Sequence, residues 1–212
     1  MTMKWSGWAL ATGVLVISAM AQAAPPSAAM LSNACAGCHG THGGSAGPTM
    51  PSLAGQSKEA IVEAMKKFRG VEKKDADGKP VLNAEGKPVI ESRPSTVMGR
   101  LAKGYTDAEI TAMGEFFSKQ KLHVTSQTVD KAKADKGGLL SEKHCNRCHL
   151  EDGKEGKDDT PVMASQWLPY LQMQMADYLS GKRKMPEKME EKVKPLSQEE
   201  LDALLTFYAS VK

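Results

Sequence analysis

Apolar residues recur at helical spacing in two stretches of the chain, and the second stretch repeats the first 110 residues later (171 − 61). The matching positions are Ile61, Met65 and Phe68 in the first stretch and Leu171, Met175 and Tyr178 in the second. Spacings of three and four residues place each set on one face of a helix. The pattern therefore predicts a middle helix from about Lys58 to Arg69 and a counterpart from about Pro169 to Ser180.

A final helix is predicted in each copy by a capping box, the S/T-x-x-E pattern that precedes an apolar run. Thr106 with Glu109 marks the first of these helices, and Ser197 with Glu200 marks the second. The two starts are 91 residues apart, so the first copy holds 19 more residues than the second (110 − 91). Within 72–93, glycine and proline alternate with β-branched residues, which is typical of a loop or a small β-hairpin. We predict that this segment is a surface insertion.

The repeat divides the chain into two small helical units. The polar stretch 119–138 has few large apolar residues, and we interpret it as the linker and the lead-in to the second unit. The predicted domains are 24–122 and 123–212. Domains of about 100 residues or fewer have a small intrinsic core. We predict an all-α chain of two tandem domains.

Residues 1–23 have the features of a secretory signal peptide. Lys4 supplies the basic start, residues 8–20 are apolar, and Ala21-Gln22-Ala23 matches the A-x-A cleavage signal. The apolar run is shorter than the roughly 20 residues of a membrane-spanning helix. We therefore expect export to the periplasm and cleavage near residue 23, with an uncleaved membrane anchor as the alternative.

A pentapeptide of the form C-x-x-C-H occurs once in each predicted domain. It is the attachment signature of a c-type haem: the cysteines bind the haem covalently and the histidine is the proximal ligand of the iron. The candidate residues are Cys35, Cys38 and His39 in the first copy and Cys145, Cys148 and His149 in the second. These are all four cysteines of the chain. We expect the motif to lie in the first helix of each domain.

Two other roles of a C-x-x-C pair fit the sequence less well. A redox disulfide favours a thioredoxin-like βαβ context, which the pattern does not predict here. A zinc site commonly joins two pairs that are close in sequence, whereas these lie 110 residues apart. Two copies behind an export signal favour two covalent haem c groups, one at the centre of each domain, and we expect the haem-free chain to fold poorly.

The second axial position of such a haem is commonly filled by a methionine, and the chain has 13 of them. Met98 and Met189 each lie eight residues before the N-cap of their domain's final helix. We predict Met98 as the distal ligand of the first haem and Met189 as that of the second. Met185 is the main rival at the second site and Met50 a weaker rival at the first. The methionines at helical apolar spacing are predicted to be core residues: Met65, Met113, Met173 and Met175.

Other histidines and aromatic residues near the motifs have simpler interpretations. His42 and His144 are too close to the proximal ligands to cross the haem, and His123 is in the linker. We expect all three to lie at the surface. Trp167 and Tyr170 are expected to pack near the second haem or between the domains.

The formal net charge is +3, and no basic stripe alternates with aromatic residues, so nucleic-acid binding is not predicted.

The two-domain pattern resembles the di-haem cytochromes of the cytochrome c4 type, and is more similar to the cytochrome subunit of flavocytochrome c sulfide dehydrogenase. The segments that carry this second resemblance are 35–43, 95–105, 166–171 and 207–210. The insertion at 72–93 departs from the pattern expected of that subunit.

The resemblance implies a division of labour between two subunits. A separate FAD-containing subunit would oxidise sulfide, and its electrons would pass singly to the two haems and then to a soluble acceptor such as a small cytochrome c. The chain would be an electron-transfer subunit and not the catalyst, and it would reach a membrane only through its partners. The chain has no flavin-binding fingerprint of its own.

The sequence also fits two alternative functions. The first is a free-standing cytochrome c4-like carrier that supplies a terminal oxidase. The second is a di-haem peroxidase, which needs one iron with an open coordination position and would contradict the assignment of both methionines.

Overall fold

The first domain is a set of short helices with two longer ones packed against each other. The computed structural model describes residues 24–156 and 158–212, so the predicted signal peptide lies outside the described residues. The helices of this domain are α1 (Ala28–Asn33), α2 (Ala36–His39), α3 (Lys58–Arg69), α4 (Met98–Leu101) and α5 (Asp107–Ser118). Single 3₁₀ turns span Thr41–Gly43 and Ala102–Gly104. The buried core consists of Ile61, Met65, Ala102, Ile110, Met113 and Phe117.

The second domain repeats this arrangement with a longer first helix. Its helices are α6 (Lys131–His144), α7 (Leu150–Gly153), α8 (Leu168–Leu179), α9 (Glu187–Val193) and α10 (Gln198–Ser210). A two-residue strand, β3 (Glu155–Gly156), forms isolated bridges with His149 and Leu150. A β-carbon added at Gly137 of α6 would lie 2.0 Å from the Ala203 carbonyl oxygen, so only glycine permits this approach of α6 to α10.

The predicted middle and final helices are confirmed. α3 has the predicted bounds, and α8 begins one residue earlier than predicted, with Pro169 in its first turn. Both capping boxes are formed. The Thr106 and Ser197 side chains accept hydrogen bonds from the backbone N–H groups of Glu109 and Glu200, and the carboxylates of these glutamates accept from the backbone N–H groups of Thr106 and Ser197.

The polar stretch 119–138 leads into the second domain, and its last part is helical because α6 begins at Lys131 after the Asp130 N-cap. Two sequence expectations are wrong. The C-x-x-C-H motif is not in the first helix of either domain: α1 ends at Asn33 and the first motif forms the separate helix α2 with Cys35 as its N-cap, whereas α6 ends at His144 and the second motif lies in turns. Met173 is 48% exposed and is not a core residue.

Residues 71–91 project from the first domain. Strands β1 (Val71–Glu72) and β2 (Ile90–Glu91) pair antiparallel at the base of this segment. Beyond them the chain makes two similar turns, in which Asp75 Oδ1 accepts from the Lys79 N–H (2.9 Å) and Asn83 Oδ1 accepts from the Lys87 N–H (2.9 Å). Such side-chain-to-backbone bonds stabilise turns in place of a packed core.

The two domains are joined by a reciprocal pair of glutamine side chains. Gln56 donates to the Val162 carbonyl (2.6 Å) and accepts from the Val162 N–H (2.9 Å). Gln166, its equivalent 110 residues later, donates to the Ser52 carbonyl (2.8 Å) and accepts from the Ser52 N–H (3.0 Å). Ser52 and Val162 are themselves equivalent positions of the repeat. The contact is therefore symmetric and fixes one domain against the other through buried backbone groups.

Aromatic residues add to the same interface. The Trp167 indole donates to the Ser45 carbonyl of the first domain (3.1 Å), and the Tyr170 hydroxyl accepts from Arg93 (3.4 Å). The expected position of Trp167 and Tyr170 between the domains is confirmed. In the described part of the chain, no helix is long and apolar enough to cross a membrane.

Candidate haem-binding sites

The first C-x-x-C-H motif presents a neutral, oriented imidazole. His39, the last residue of α2, is 8% exposed, and its Nδ1–H donates to the Pro51 carbonyl (2.8 Å). Burial lowers the pKa of His39, and the Pro51 carbonyl opposes this shift only in part. The ring is therefore neutral at pH 7, with Nε2 as the lone-pair nitrogen. A histidine that ligates a metal commonly donates its other ring N–H in this way.

The second motif presents the equivalent imidazole in a different backbone. Burial lowers the pKa of His149 to about 4, and the carbonyl of Pro161, the equivalent of Pro51, opposes the fall. The Nδ1 atom is buried and makes no hydrogen bond of good geometry. Positive φ angles at Glu151 and Asp152 bend the chain directly after the motif. A half-buried, neutral imidazole whose Nδ1 is directed at a backbone carbonyl leaves Nε2 to bind iron, as at His39.

The cysteines beside these histidines are free thiols in equivalent environments. In each motif the first cysteine is half-buried and the second is exposed: Cys35 and Cys38, then Cys145 and Cys148. Burial raises the pKa of the Cys35 and Cys145 thiols, which are therefore protonated. A zinc site would need at least three clustered ligands, and no such group of His, Cys, Asp or Glu occurs among the described residues. Two thiols three residues apart beside a buried imidazole fit the attachment of haem c.

The methionine candidates differ in their surroundings. Met98 begins α4 and Met189 lies in α9, and each is half-buried at the edge of its own domain's core. Met185 is 8% exposed and lies inside the second core, whereas Met50 is 39% exposed. The repeat thus places Met98 and Met189, but not Met185 and Met50, in matching positions.

Each domain also leaves large apolar side chains in contact with solvent. They include Met30, Met50, Val97 and Leu101 in the first domain and Leu139, Leu150, Met173 and Leu179 in the second. A haem would be an apolar partner for part of this surface, because a group of exposed apolar side chains can mark a ligand-binding site. The donor set and the apolar surface both fit a haem in each domain.

The remaining histidines lie as follows: His42 is exposed, as expected, whereas His123 and His144 are half-buried. His123 packs against Gly44, where an added β-carbon would lie 2.7 Å from its Nδ1.

Sequence reasoning missed two sets of residues that organise these sites. The Pro51 and Pro161 carbonyls face the imidazoles of His39 and His149, and Gln56 and Gln166 join the domains. The signal was present, because the 110-residue repeat relates both pairs. Repeat equivalence marks a residue but does not reveal its hydrogen-bond partner, and the glutamines bind across the domain boundary.

Comparison with known families assigns both halves of the chain to cytochromes. Residues 25–121 match the family described as Cytochrome c, and residues 132–207 match Cytochrome C oxidase, cbb3-type, subunit III. Cytochrome c-552 of Acidithiobacillus ferridurans is 27% identical over 144 residues, which cover 64% of this chain and 55% of that protein. The chain thus corresponds to about half the length of this curated relative.

Solved structures give the same result for the fold. Reduced recombinant cytochrome c4 from Pseudomonas stutzeri superposes with a TM-score of 0.69 at 22% identity, over 89% of this chain and all of that one. Cytochrome c4 from Acidithiobacillus ferrooxidans gives 0.64 at 24% identity, over 85% of this chain and 99% of that one. Thiosulfate dehydrogenase (TsdBA) from Marichromatium purpuratum gives 0.64 at 23% identity, over 84% of this chain but only 36% of that one.

The predicted all-α fold class is confirmed by these matches and by the observed helices. Together with the two C-x-x-C-H motifs, they establish the two predicted covalent haem c groups, one in each half. The chain is a di-haem c-type cytochrome, made of two cytochrome c domains in tandem with the fold of cytochrome c4.

Proposed function

We propose that this cytochrome transfers single electrons through two haems whose irons are both six-coordinate. His39 and Met98 would be the axial ligands of the first iron, and His149 and Met189 those of the second. Haem groups held by a histidine and a methionine carry electrons, and the thioether raises the reduction potential. With both axial positions filled by the protein, neither iron would bind a substrate, so the chain would not be an enzyme.

The observation that carries this proposal is the internal equivalence of the two sites. Each has a neutral imidazole facing a proline carbonyl, buried at His39 and half-buried at His149, and a half-buried methionine eight residues before the N-cap of a capping box. Met185 is less suited to ligation, because its side chain is already enclosed by the core of the second domain. A core methionine that left its packing to reach iron would create a cavity.

For the electron donor, we propose an FAD-containing sulfide dehydrogenase subunit, with a small soluble cytochrome c as the acceptor and the periplasm as the location. The supporting features are the resemblance of 35–43 and 95–105 to the cytochrome subunit of such enzymes and the export-type sequence at 1–23. The second candidate, a free-standing carrier that supplies a terminal oxidase, is favoured by the match over the whole length of a cytochrome c4.

Purification of the native protein from its own membrane-free extract tests the two candidates. The flavocytochrome proposal predicts a flavin-containing polypeptide that copurifies in equal amount and stays bound at salt concentrations that disrupt steered, transient contacts. Sulfide should then reduce both haems of the complex but not those of the isolated cytochrome. If the chain elutes alone at low salt, and sulfide with the flavin-containing fractions leaves it oxidised, the free-standing carrier is the correct function.

A further inference from the structure

Two arginine side chains meet at the interface of the domains without a carboxylate partner. Arg93 of the first domain and Arg183 of the second both donate to Gln174 Oε1, Arg183 at 2.8 Å. Among the described residues, neither guanidinium forms an ion pair with a carboxylate. The charge of the Asp177 carboxylate raises the pKa of Arg183, but this carboxylate forms its ion pair with Lys182, at 3.1 Å.

These arginines make equivalent backbone contacts in the two copies, although the 91-residue shift that relates Met98 to Met189 would pair Arg93 with Lys184. The Arg93 N–H donates to the Lys67 carbonyl (2.9 Å), and the Arg183 N–H donates to the carbonyl of Asp177, the equivalent of Lys67 (2.8 Å). Each guanidinium lies over an aromatic ring one residue further along the helix. The two stacked pairs are Arg93 on Phe68, with 4.7 Å to the ring centroid, and Arg183 on Tyr178, with 4.3 Å. Both copies therefore position an arginine side chain in the same way, by one backbone hydrogen bond and one stacked aromatic ring.

One neutral amide oxygen is a poor partner for two half-buried positive charges. Two guanidinium groups repel each other, and their partial burial removes water that would screen them. Burial and the neighbouring Arg93 both lower the pKa of Arg183, as expected of a partly buried cation beside another cation. A guanidinium is shaped to bind a carboxylate through two parallel N–H···O bonds. The pair of guanidinium groups is therefore suited to bind an oxyanion.

The haems themselves bring such groups, because each haem c has two propionate carboxylates. Arg93 lies five residues before Met98, and Arg183 lies six residues before Met189, so each arginine is on the loop that leads to its domain's proposed distal ligand. Each stacking ring, on α3 or α8, lies one helical turn from a buried core residue, Met65 or Met175. The arginine pair thus lies on the segments that carry the two proposed distal ligands.

We propose that Arg93 and Arg183 form one shared carboxylate-binding site at the domain interface, and that propionates of the haems are the carboxylates it binds. Gln174 holds the two guanidiniums together, and Arg93 reaches it from the other domain. The inference rests on the haem positions implied by the proposed function, but it does not depend on which protein donates the electrons.

Resonance Raman spectra of the reduced protein test this proposal, because the propionate bending mode reports hydrogen bonding to the carboxylate. The variants are Arg93→Gln and Arg183→Gln. The matched control is Lys184→Gln, which removes one positive charge next to Arg183 from a side chain that is 80% exposed. We expect the propionate band to shift to lower frequency in both arginine variants and to stay in place in the control. Both midpoint potentials should also fall in each arginine variant, since both haems would lose a nearby cation.

An unchanged propionate band in both arginine variants would overturn the proposal. A free anion is the other source of an oxyanion, and sulfate added to the wild type at constant ionic strength separates the two. A response of its potentials to sulfate would show that the site is open to free anions and would refute the propionate assignment. If the glutamine variants do not incorporate haem, Arg93→Lys and Arg183→Lys replace them: they keep the charge but lose the paired N–H donors, and they should still shift the band. The methionine ligation of either haem is read separately, from its near-infrared band, so failure of the proposed function would be recognised independently.

Discussion

Replacing Gln166 by methionine tests the glutamine contact that joins the domains. Methionine keeps the length and nearly the volume of the side chain, so the change removes two hydrogen bonds without a large cavity. Gln166 is 3% exposed and Ser52 is 2% exposed, so the Ser52 N–H and carbonyl would be left buried without their partners. A lost bond contributes about 1 kcal/mol, and a buried group left unpaired costs about 1–3 kcal/mol. We expect the free energy of unfolding to fall by about 2–4 kcal/mol in total.

The assay is guanidinium unfolding of the oxidised holoprotein, followed by far-UV circular dichroism and by the Soret band. Gln56→Met should give a similar loss, because the same two bonds are made at the equivalent position. The control is Gln120→Ala, which removes a local bond from Gln120 Nε2 to the Phe116 carbonyl on a half-buried side chain and should cost about 1 kcal/mol or less. A loss below about 0.5 kcal/mol in Gln166→Met would refute the assigned role of the contact.

Three further predictions concern the second haem, helix packing and acid stability. Met189→Ala should convert only the second haem to a high-spin form that binds carbon monoxide. Met185→Ala should keep both haems low-spin and lower the free energy of unfolding by about 2–4 kcal/mol. The reverse result in optical spectra would make Met185 the ligand. Gly137→Ala should destabilise the second domain by about 3 kcal/mol or more, because the new β-carbon would clash with the Ala203 backbone. Gly138→Ala is the control, since its β-carbon would meet only the movable ring of Phe207. Thermal unfolding compares the two variants, and equal losses of stability would contradict the packing argument. Hydrogen bonds and ion pairs with Arg69 and Lys66 lower the pKa of Asp107, so the ionised carboxylate stabilises the fold above about pH 4, and this contribution is lost as the pH falls further. In urea unfolding, Asp107→Asn should therefore reduce the fall in the free energy of unfolding between about pH 5 and about pH 3. An unchanged dependence of that free energy on pH would refute the linkage.

The sequence predicted those features that local patterns specify. The capping residues Thr106 and Ser197 fix the starts of α5 and α10, and apolar spacing fixes α3 and α8, because these signals act within a few residues. The histidines that the motifs identified are neutral imidazoles in the structure, buried at His39 and half-buried at His149.

Features that depend on distant residues could not be predicted in the same way. The end of α6 before the second motif reflects the bend at Glu151 and Asp152 and the bridges to β3, which no local signal specifies. Met173 has helical apolar spacing but lies on a face of α8 that the rest of the described chain does not cover. The pairing of Arg93 with Gln174 spans 81 residues and two domains, so it follows only from the tertiary structure.

The coordination of the two irons is the central claim, and near-infrared magnetic circular dichroism of the oxidised protein tests it most directly. The band of a methionine-ligated low-spin ferric haem, with its intensity calibrated against total iron, counts the haems of this type. The account predicts an intensity that corresponds to two such haems per chain. An intensity that corresponds to one haem or none would contradict it.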